Sequence, residues 1–396
     1  MRRRWPLIAG ARGGDGRRIC LVTGLRQADD RGVRLLDRYL LRELLVPLAY
    51  CLGGFLVFYV AFDLVFGIKN FQEKHLGVLD VAEHYVVTLP ELLVQQVIPV
   101  SLLLALLYVL TNLSRYNELT AMRAAGVSLW RLFLPYLGVG VFLGLVVLAM
   151  NELLVPQSAE EDKAILHRHD PHPEDRDWTS KLSFHNETEG RQWEMTRYNR
   201  STHEMINPVI HWDQRGGAHR DIYAERGIYR NGRWVFTNVV EWYSQAVHSN
   251  YAVLALPFSE TPAWINSEIK VAALPPGEAA KKPELSIREV LDYRRLHPHL
   301  NPEQEATLLT QLQCRVAQPF TCLAVVLIAL PFGARSGRCN VFAGVASSVF
   351  ICFAYFIMQR FAMSLGVGEK LNPFLAAWLP NLVFGLTGLA LLWRAR

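Results

Sequence analysis

Six stretches of the chain hold no Asp, Glu, Lys or Arg: Leu44–Phe62, Leu92–Ser114, Leu132–Asn151, Val316–Ala334, Cys339–Gln359 and Leu371–Trp393. Each is close to the roughly twenty apolar residues that an α-helix needs to cross the hydrocarbon core of a bilayer. In lipid every backbone polar group must be satisfied internally, and a helix does this within one segment. The pattern therefore predicts six membrane crossings, three on each side of a long polar interval. Trp242–Ser259 is also free of these charges, but its first half is polar and contains His248, so strand and turn are expected there. Composition agrees: 19% of the 396 residues are charged, against about 25% in a soluble globular chain.

Orientation follows from Arg and Lys, which gather in cytoplasmic loops. Eleven Arg lie between Arg2 and Arg42. Arg115, Arg123 and Arg131 follow the second span, Arg335 and Arg338 follow the fourth, and Arg394 and Arg396 follow the sixth. The alternate loops are poorer, with Lys69 and Lys74 in one and Lys370 in the other. Both termini are thus expected in the cytoplasm, with Glu152–Arg315 on the far side of the membrane. This topology accounts for the net charge of +5 without a nucleic-acid partner. Residues 1–34, rich in Arg and Gly, are expected as a disordered extension, with membrane helices one to three over 35–152. A polar lead-in helix, Leu36–Glu43, should lie at the surface and run into the first span.

The interval 153–300 is expected to open with a helix and loop and then become β. Gln192–Met195 and Asp221–Glu225 alternate in polarity, as a half-buried strand does. Asn231-Gly232 stands between two aromatic-bearing segments and marks a hairpin. Several short strands with turns between them point to a sandwich or jelly roll, with Trp178, Trp193, Trp212, Trp234 and Trp242 in its core or rim. Pro275-Pro276-Gly277 marks a linker, Ser286–Leu296 a short helix, and Asn301-Pro302-Glu303 the start of a helix leading into the fourth span; 301–396 hold helices four to six. The six Cys avoid the interior of the polar domain and show no CxxC pair, so no disulfide framework is expected. The fold class is an α-helical polytopic membrane protein with an inserted all-β, jelly-roll-like domain.

Asn117–Gly126, between spans two and three, is rich in helix formers. Gly126 suits a helix stop and Ser128 the N-cap of the next helix. The expected product is a short cytoplasmic helix, about 115–127, with Leu119, Met122 and either Arg123 or Gly126 on one face. Such a helix either only connects two spans or docks in a groove on a cytoplasmic partner.

Asn117–Trp130 resembles the signature of the lipopolysaccharide-export permeases, the LptF/LptG family. Leu36-Asp37-Arg38-Tyr39 is similar to the family's start and closer to its LptG branch. Gln318-Pro319, Leu330–Ser336 and Pro373–Pro380 resemble the fourth span, its cytoplasmic loop and the entry to the sixth span. The resemblance runs from about Leu35 to the end. It implies a permease that pairs with a paralogous six-span subunit in an LptF/LptG-type heterodimer in the bacterial inner membrane. It further implies a cytoplasmic ABC ATPase dimer, extraction of lipopolysaccharide or a related glycolipid, and transfer through a periplasmic β domain to a jelly-roll bridge protein. By the same resemblance Glu118 anchors the short helix to the ATPase, and Leu119, Met122, Arg123 and Gly126 complete that coupling helix. Spans one and five would line a lateral gate, which makes Asp63, Lys69, Lys74, Arg360 and Lys370 candidates for the lipid path. Intramembrane charge is costly and faces a partner or a cavity, so Asp63 and Arg360 are candidates for a latch, against snorkelling alone for Arg360.

The chain has no G-x-x-x-x-G-K-[ST] loop; ATP, if used, is hydrolysed by another subunit, and neither a cofactor nor a catalytic residue is expected in this one. The tract His167–His172 stands in a charged, Pro-rich loop with no second ligand cluster apparent, so no metal is expected. Asn207 stands where the second His of a zinc-protease motif beginning at His203 would fall. A scaffold driven by a cytoplasmic ATPase but moving no lipid is the competing function. A membrane enzyme would need clustered acidic, His or Ser groups at one face, and none stands out.

Overall fold

The structure is a computed structural model that describes residues 17–166, 168, 177–213, 219–243, 247–272, 285–334 and 341–394. Among them, helices long and apolar enough to cross a membrane number six, at Leu35–Glu73, Val78–Arg115, Leu129–Leu153, Pro302–Pro331, Ala346–Val367 and Pro373–Arg394. These contain the first three charge-free stretches and coincide with the last three to within several residues at their ends. Helix α1 (Arg17–Glu73) begins well before the expected boundary at Leu35. The second span also starts early. Helix α2 (Val78–Leu92) passes Pro90 and continues through a π-turn, Leu93–Val97, into α3 (Ile98–Arg115). Proline removes one i→i−4 bond, and a π-turn absorbs the misfit. The early portion carries Asp80, Glu83 and Glu91, which hid it from a search for charge-free residues.

After the short α4 (Glu118–Ala124), α5 (Leu129–Leu153) makes the third span and α6 (Val155–Leu166) carries the chain towards the β domain. Helices α7 (Pro262–Ala272) and α8 (Ile287–Leu296) lead back to the spans α9 (Pro302–Ala334), α10 (Val341–Val367) and α11 (Pro373–Arg394). Ser286 and Glu289 form a capping box at the start of α8, as the sequence pattern requires. Burial pushes the Glu289 carboxyl up, but the Lys270 ammonium at 2.8 Å and the Ser286 backbone N–H outweigh it and hold it below the usual carboxylate range.

The bundle is organised around α9, which packs against α5, α3, α10 and α11. Small residues permit the closest approaches. A Cβ on Gly144 of α5 would sit 2.7 Å from the carbonyl oxygen of Pro319, and one on Gly388 of α11 would sit 2.4 Å from that of Leu327. Gly140 and Gly144 form a small-x-x-x-small pair, the common device for close helix contact in lipid. Polar links add to it. Asn151 donates to Gln318 at 2.8 Å, and the buried Arg315 donates to the Asn151 carbonyl at 2.8 Å.

The β domain has eight strands: β1 (Trp178–Asn186), β2 (Arg191–Asn199), β3 (Glu204–Ile206), β4 (Val209–Asp213), β5 (His219–Tyr223), β6 (Arg226–Arg230), β7 (Arg233–Tyr243) and β8 (Val247–Leu256). All pairings are antiparallel. β2 pairs with β3 and β4 in one continuous register (Arg197↔Ile206, Glu194↔Val209), so β3 and β4 are halves of one strand. β5 and β6 are likewise halves of one strand against β7 (Tyr223↔Val240, Arg226↔Thr237). The sheet is therefore a meander in chain order, and its interruptions fall on one line. Lys181, Asn207 and Asn238 all have positive φ (54°, 49° and 52°) at matching places in that register. The meander is creased there and folds its halves face to face. Trp193 in one half lies 6.3 Å from Trp234 and Phe236 in the other.

The aromatic core follows the expectation in part. Trp193 and Trp234 are fully buried and Trp212 packs at the core's edge, whereas Trp242 is exposed. Asn231-Gly232 makes the β6–β7 turn with φ of 51° and 79°, the hairpin geometry its sequence asks for. Helix α7, which no sequence pattern announced, closes one end of the core with Trp264, Ile265 and Ile269. The loop before it is pinned by Glu260, which accepts from Asn186 at 2.6 Å and Arg191 at 3.0 Å, while Trp234 donates to the Glu260 carbonyl at 2.7 Å. The expected linker at Pro275–Gly277 lies outside the described residues.

Two substitutions test this packing. Glu260→Ala leaves the buried Arg191 with the Ser259 hydroxyl at 2.7 Å and, for a counter-charge, the exposed Glu189 3.6 Å away. It should destabilise the β domain by about 3–5 kcal/mol, measured by tryptophan fluorescence in a denaturant titration. Gly144→Leu forces span three off Pro319 and should cost about 1–3 kcal/mol, read as a lower melting temperature in detergent.

Candidate functional site

Helix α4 lies where the sequence placed it. Asn117 adopts φ 58° to start it and Gly126 φ 90° to end it, and the Ser128 hydroxyl accepts from the Arg131 N–H at 3.4 Å to cap α5. The structure divides the expected docking set. Leu119 is 5% exposed and belongs to the apolar cluster of the membrane bundle, with Met122 packed beside it. Arg123 and Gly126 are exposed, together with Thr120, Ala121, Ala124 and Ala125. A short helix at the end of a bundle seats its apolar side chains on that bundle, and what remains outside is small and polar.

Glu118 is half-buried, and its Oε2 accepts from the Tyr39 hydroxyl of α1 at 2.7 Å. Two residues earlier on α1, Asp37 accepts from Arg131 of α5 at 2.7 Å. The first span is thus tied to both sides of α4. Asp37 and Tyr39 were visible in the sequence as part of the family-like start, but their partners lie 94 and 79 residues away, and nothing local announced them.

At the opposite end of the bundle, Asp63 of α1 accepts from the Tyr85 hydroxyl of α2 at 3.0 Å. Among the described residues no ion pair joins Asp63 to Arg360. Lys69, Arg360 and Lys370 are exposed and Lys74 is half-buried. Spans one and five both pack on α3 and each turns an apolar row outward: Phe58, Phe62 and Phe66 on α1, and Phe350, Phe353 and Phe361 on α10. The structure does not gather the five charged residues at one point; it strings them along the outer ends of helices whose apolar faces the chain leaves uncovered. Nearby, His84 of α2 bonds to Asp162 of α6, and Arg168 bonds to Asp80 and Glu83. The rest of the His tract lies outside the described residues.

Six membrane helices, broken once by a creased antiparallel β domain and carrying a short helix seated between spans two and three, define a polytopic membrane protein of the transporter-subunit kind. The chain belongs to the family described as lipopolysaccharide export system permease LptF/LptG, whose model matches residues 38–394. The match covers both branches and does not favour LptG over LptF. No curated protein matches the chain. Membership makes it a permease subunit and not an enzyme.

The tie between α1 and α4 is testable in this chain alone. Tyr39→Phe with Asp37→Asn removes two charge-assisted hydrogen bonds, each worth about 1.5–3 kcal/mol. Amide exchange in α4 should speed up by about tenfold or more while the β domain is unaffected.

Proposed function

We propose that the chain is the permease subunit that extracts lipopolysaccharide, or a glycolipid of that kind, from the inner membrane and passes it through its β domain towards the outer membrane. It works with a cytoplasmic ABC ATPase dimer, a paralogous six-span permease and a jelly-roll bridge protein, and its termini are cytoplasmic with the β domain periplasmic. The supporting observation is the seating of α4. Leu119 and Met122 lock it into the bundle, and Glu118 and its neighbour Arg131 tie it to the base of span one. A force applied to its outer face therefore reaches spans one, two and three together.

On this reading the ATPase contacts fall to Arg123, Gly126 and the exposed side of Glu118, while Leu119 and Met122 anchor the lever. Lipid enters between spans one and five of the paired subunits. Their outward apolar rows meet the acyl chains, and Lys69, Lys74, Arg360 and Lys370 meet anionic headgroups, which cations near the interface attract. Asp63, held by Tyr85, braces span one against span two.

Affinity purification from native membranes in mild detergent tests the assignment. An ATPase and a second six-span protein should co-purify in stoichiometric amounts, and Arg123→Glu should deplete the ATPase while keeping the second permease. Wild-type chain that captures neither, under conditions that preserve membrane complexes, overturns the reading. Arg360→Ala should lower photocrosslinking of lipid in the β domain several-fold; unchanged capture removes Arg360 from the lipid path.

A further inference from the structure

The outer face of the β4–β5 hairpin carries four polar residues that the transport reading does not use. In the antiparallel register His211 stands opposite Asp221 and Asp213 opposite His219. Ile210 and Ile222 point inward to the core, so the alternation of a strand turns all four of the others outward on one face. They form a compact set. His211 Nδ1 lies 2.7 Å from Asp221 Oδ1, and His219 Nε2 lies 3.1 Å from the same oxygen. The other nitrogen of His219, Nδ1, lies 2.5 Å from Asp213 Oδ1. The imidazoles are nearly parallel, with centroids 6.4 Å apart and planes inclined by 16°. One ligand atom from each of His211, His219 and Asp221 falls within 4.8 Å of the other two.

Two features of this set are compatible with a bound metal ion. A neutral imidazole has a single N–H, yet both nitrogens of His219 face carboxylate oxygens. With the proton on Nδ1 directed at Asp213, the Nε2 lone pair faces the Asp221 oxygen, and His211 directs a second nitrogen at that oxygen. A second proton on His219, or a metal cation between the two rings and Asp221, satisfies both nitrogens. The dimensions also suit one. In a tetrahedral zinc site with bonds of about 2.0–2.1 Å, ligand atoms stand about 3.3 Å apart; the two nitrogen–oxygen separations here are 2.7 and 3.1 Å, and all three ligand atoms lie within 4.8 Å of one another. Asp213 occupies the place of the outer carboxylate that fixes the tautomer and orientation of a metal-bound histidine. The side chain of Asp221 is 14% exposed and those of His211 and His219 are 33% and 40% exposed, so an ion can enter from solvent.

The geometry points to a binding site for a zinc-class divalent transition metal on the outer face of the β domain. Its ligands are His211, His219 and Asp221, Asp213 positions His219, and the fourth coordination place is open to water. Mixed imidazole and carboxylate donors favour zinc, nickel or cobalt over calcium or magnesium. The ion would staple β4 to β5 at the free end of their hairpin. This inference stands on the β domain alone and does not depend on the transported lipid.

The test uses the full chain in detergent, purified with a tag that contains no histidine and stripped with chelator. Zinc chloride alone is the titrant, with bound metal also counted after desalting. The expected result is about one tightly held zinc per chain, and visible ligand-field bands when cobalt replaces it. His211→Gln with His219→Gln should weaken binding by at least a hundredfold. Asp213→Asn should weaken it by about 10–100-fold, as loss of an outer carboxylate does. Replacing His167, His169 and His172 together by Asn should change nothing. Melting without metal checks that the variants fold; Asp213→Asn, which leaves the three ligands in place, keeps the test decisive if the double variant does not. Less than stoichiometric zinc on the wild type, binding that survives in a folded double variant, or binding lost with the His167–His172 tract overturns the site.

Discussion

Everything in the membrane half depends on how closely other helices approach span four. Lipid tails are as apolar as leucine, so spans gain little from hiding hydrophobic surface from one another; contact, hydrogen bonding and backbone proximity must do it. At Gly144 and Gly388 a single added carbon would meet a carbonyl of α9. Buried polar groups supply the rest: Asn381 donates to the Ala317 carbonyl at 2.8 Å, and the Tyr355 hydroxyl donates to Asn381 at 2.8 Å. Spans three, four and six are thereby joined, and Tyr355 ties span five to four and six. Spans one and five have much of their surface uncovered, and it is apolar. A helix with that profile either meets lipid or meets another protein, and the proposed function uses both.

The β domain obeys a different constraint. Water drives its core together, and the crease along Lys181, Asn207 and Asn238 lets one meander bury both halves of its inner face. Positive φ comes at low cost to asparagine, which is enriched there. Without the crease Trp193 and Trp234 could not meet, and the inner face would lie open. The crease also explains why short strands β3 to β6 look irregular in sequence although they are halves of long ones.

Much of this was legible in the residues. The spans were visible because lipid tolerates no runs of charge, and the Asn231-Gly232 turn because so few residues accept its backbone. The first turns of α2 were not, since a helix that continues past the bilayer can carry Asp80 and Glu83. Helix α7 was not, because it is short and its apolar residues serve the β core. At α4 the residues announce a helix but not its sides: the periodicity that joins Leu119 to Met122 is the same whether they face a partner or their own bundle, and burial alone separates the cases. The quartet around Asp221 was overlooked because His211 and Asp221 are ten positions apart. Polar residues at 211, 213, 219 and 221, symmetric about position 216, were the available signal, and an antiparallel register centred there finds them.

The two ends of the molecule are joined by the stiffest part of each. Span three runs directly into α6, which α2 holds through His84 and Asp162 and through Arg168 with Asp80 and Glu83. Span four is entered through α8, whose Val290 and Tyr293 share an apolar cluster with Leu308 of α9. The His297 ring stacks on Tyr293 at 3.9 Å and on Trp264 at 4.2 Å, and Trp264 lies 5.0 Å from Phe184 in the β core. Packed aromatic rings do not compress, so this column conveys the position of α9 to the β domain with little loss. Both stalks leave from spans three and four, the pair locked at Gly144 and Asn151, and α4 sits at the other end of span three. A tilt of this pair is therefore coupled to the β domain along both stalks, and span five follows the pair through Tyr355, whose hydroxyl bonds to Thr321 and Asn381.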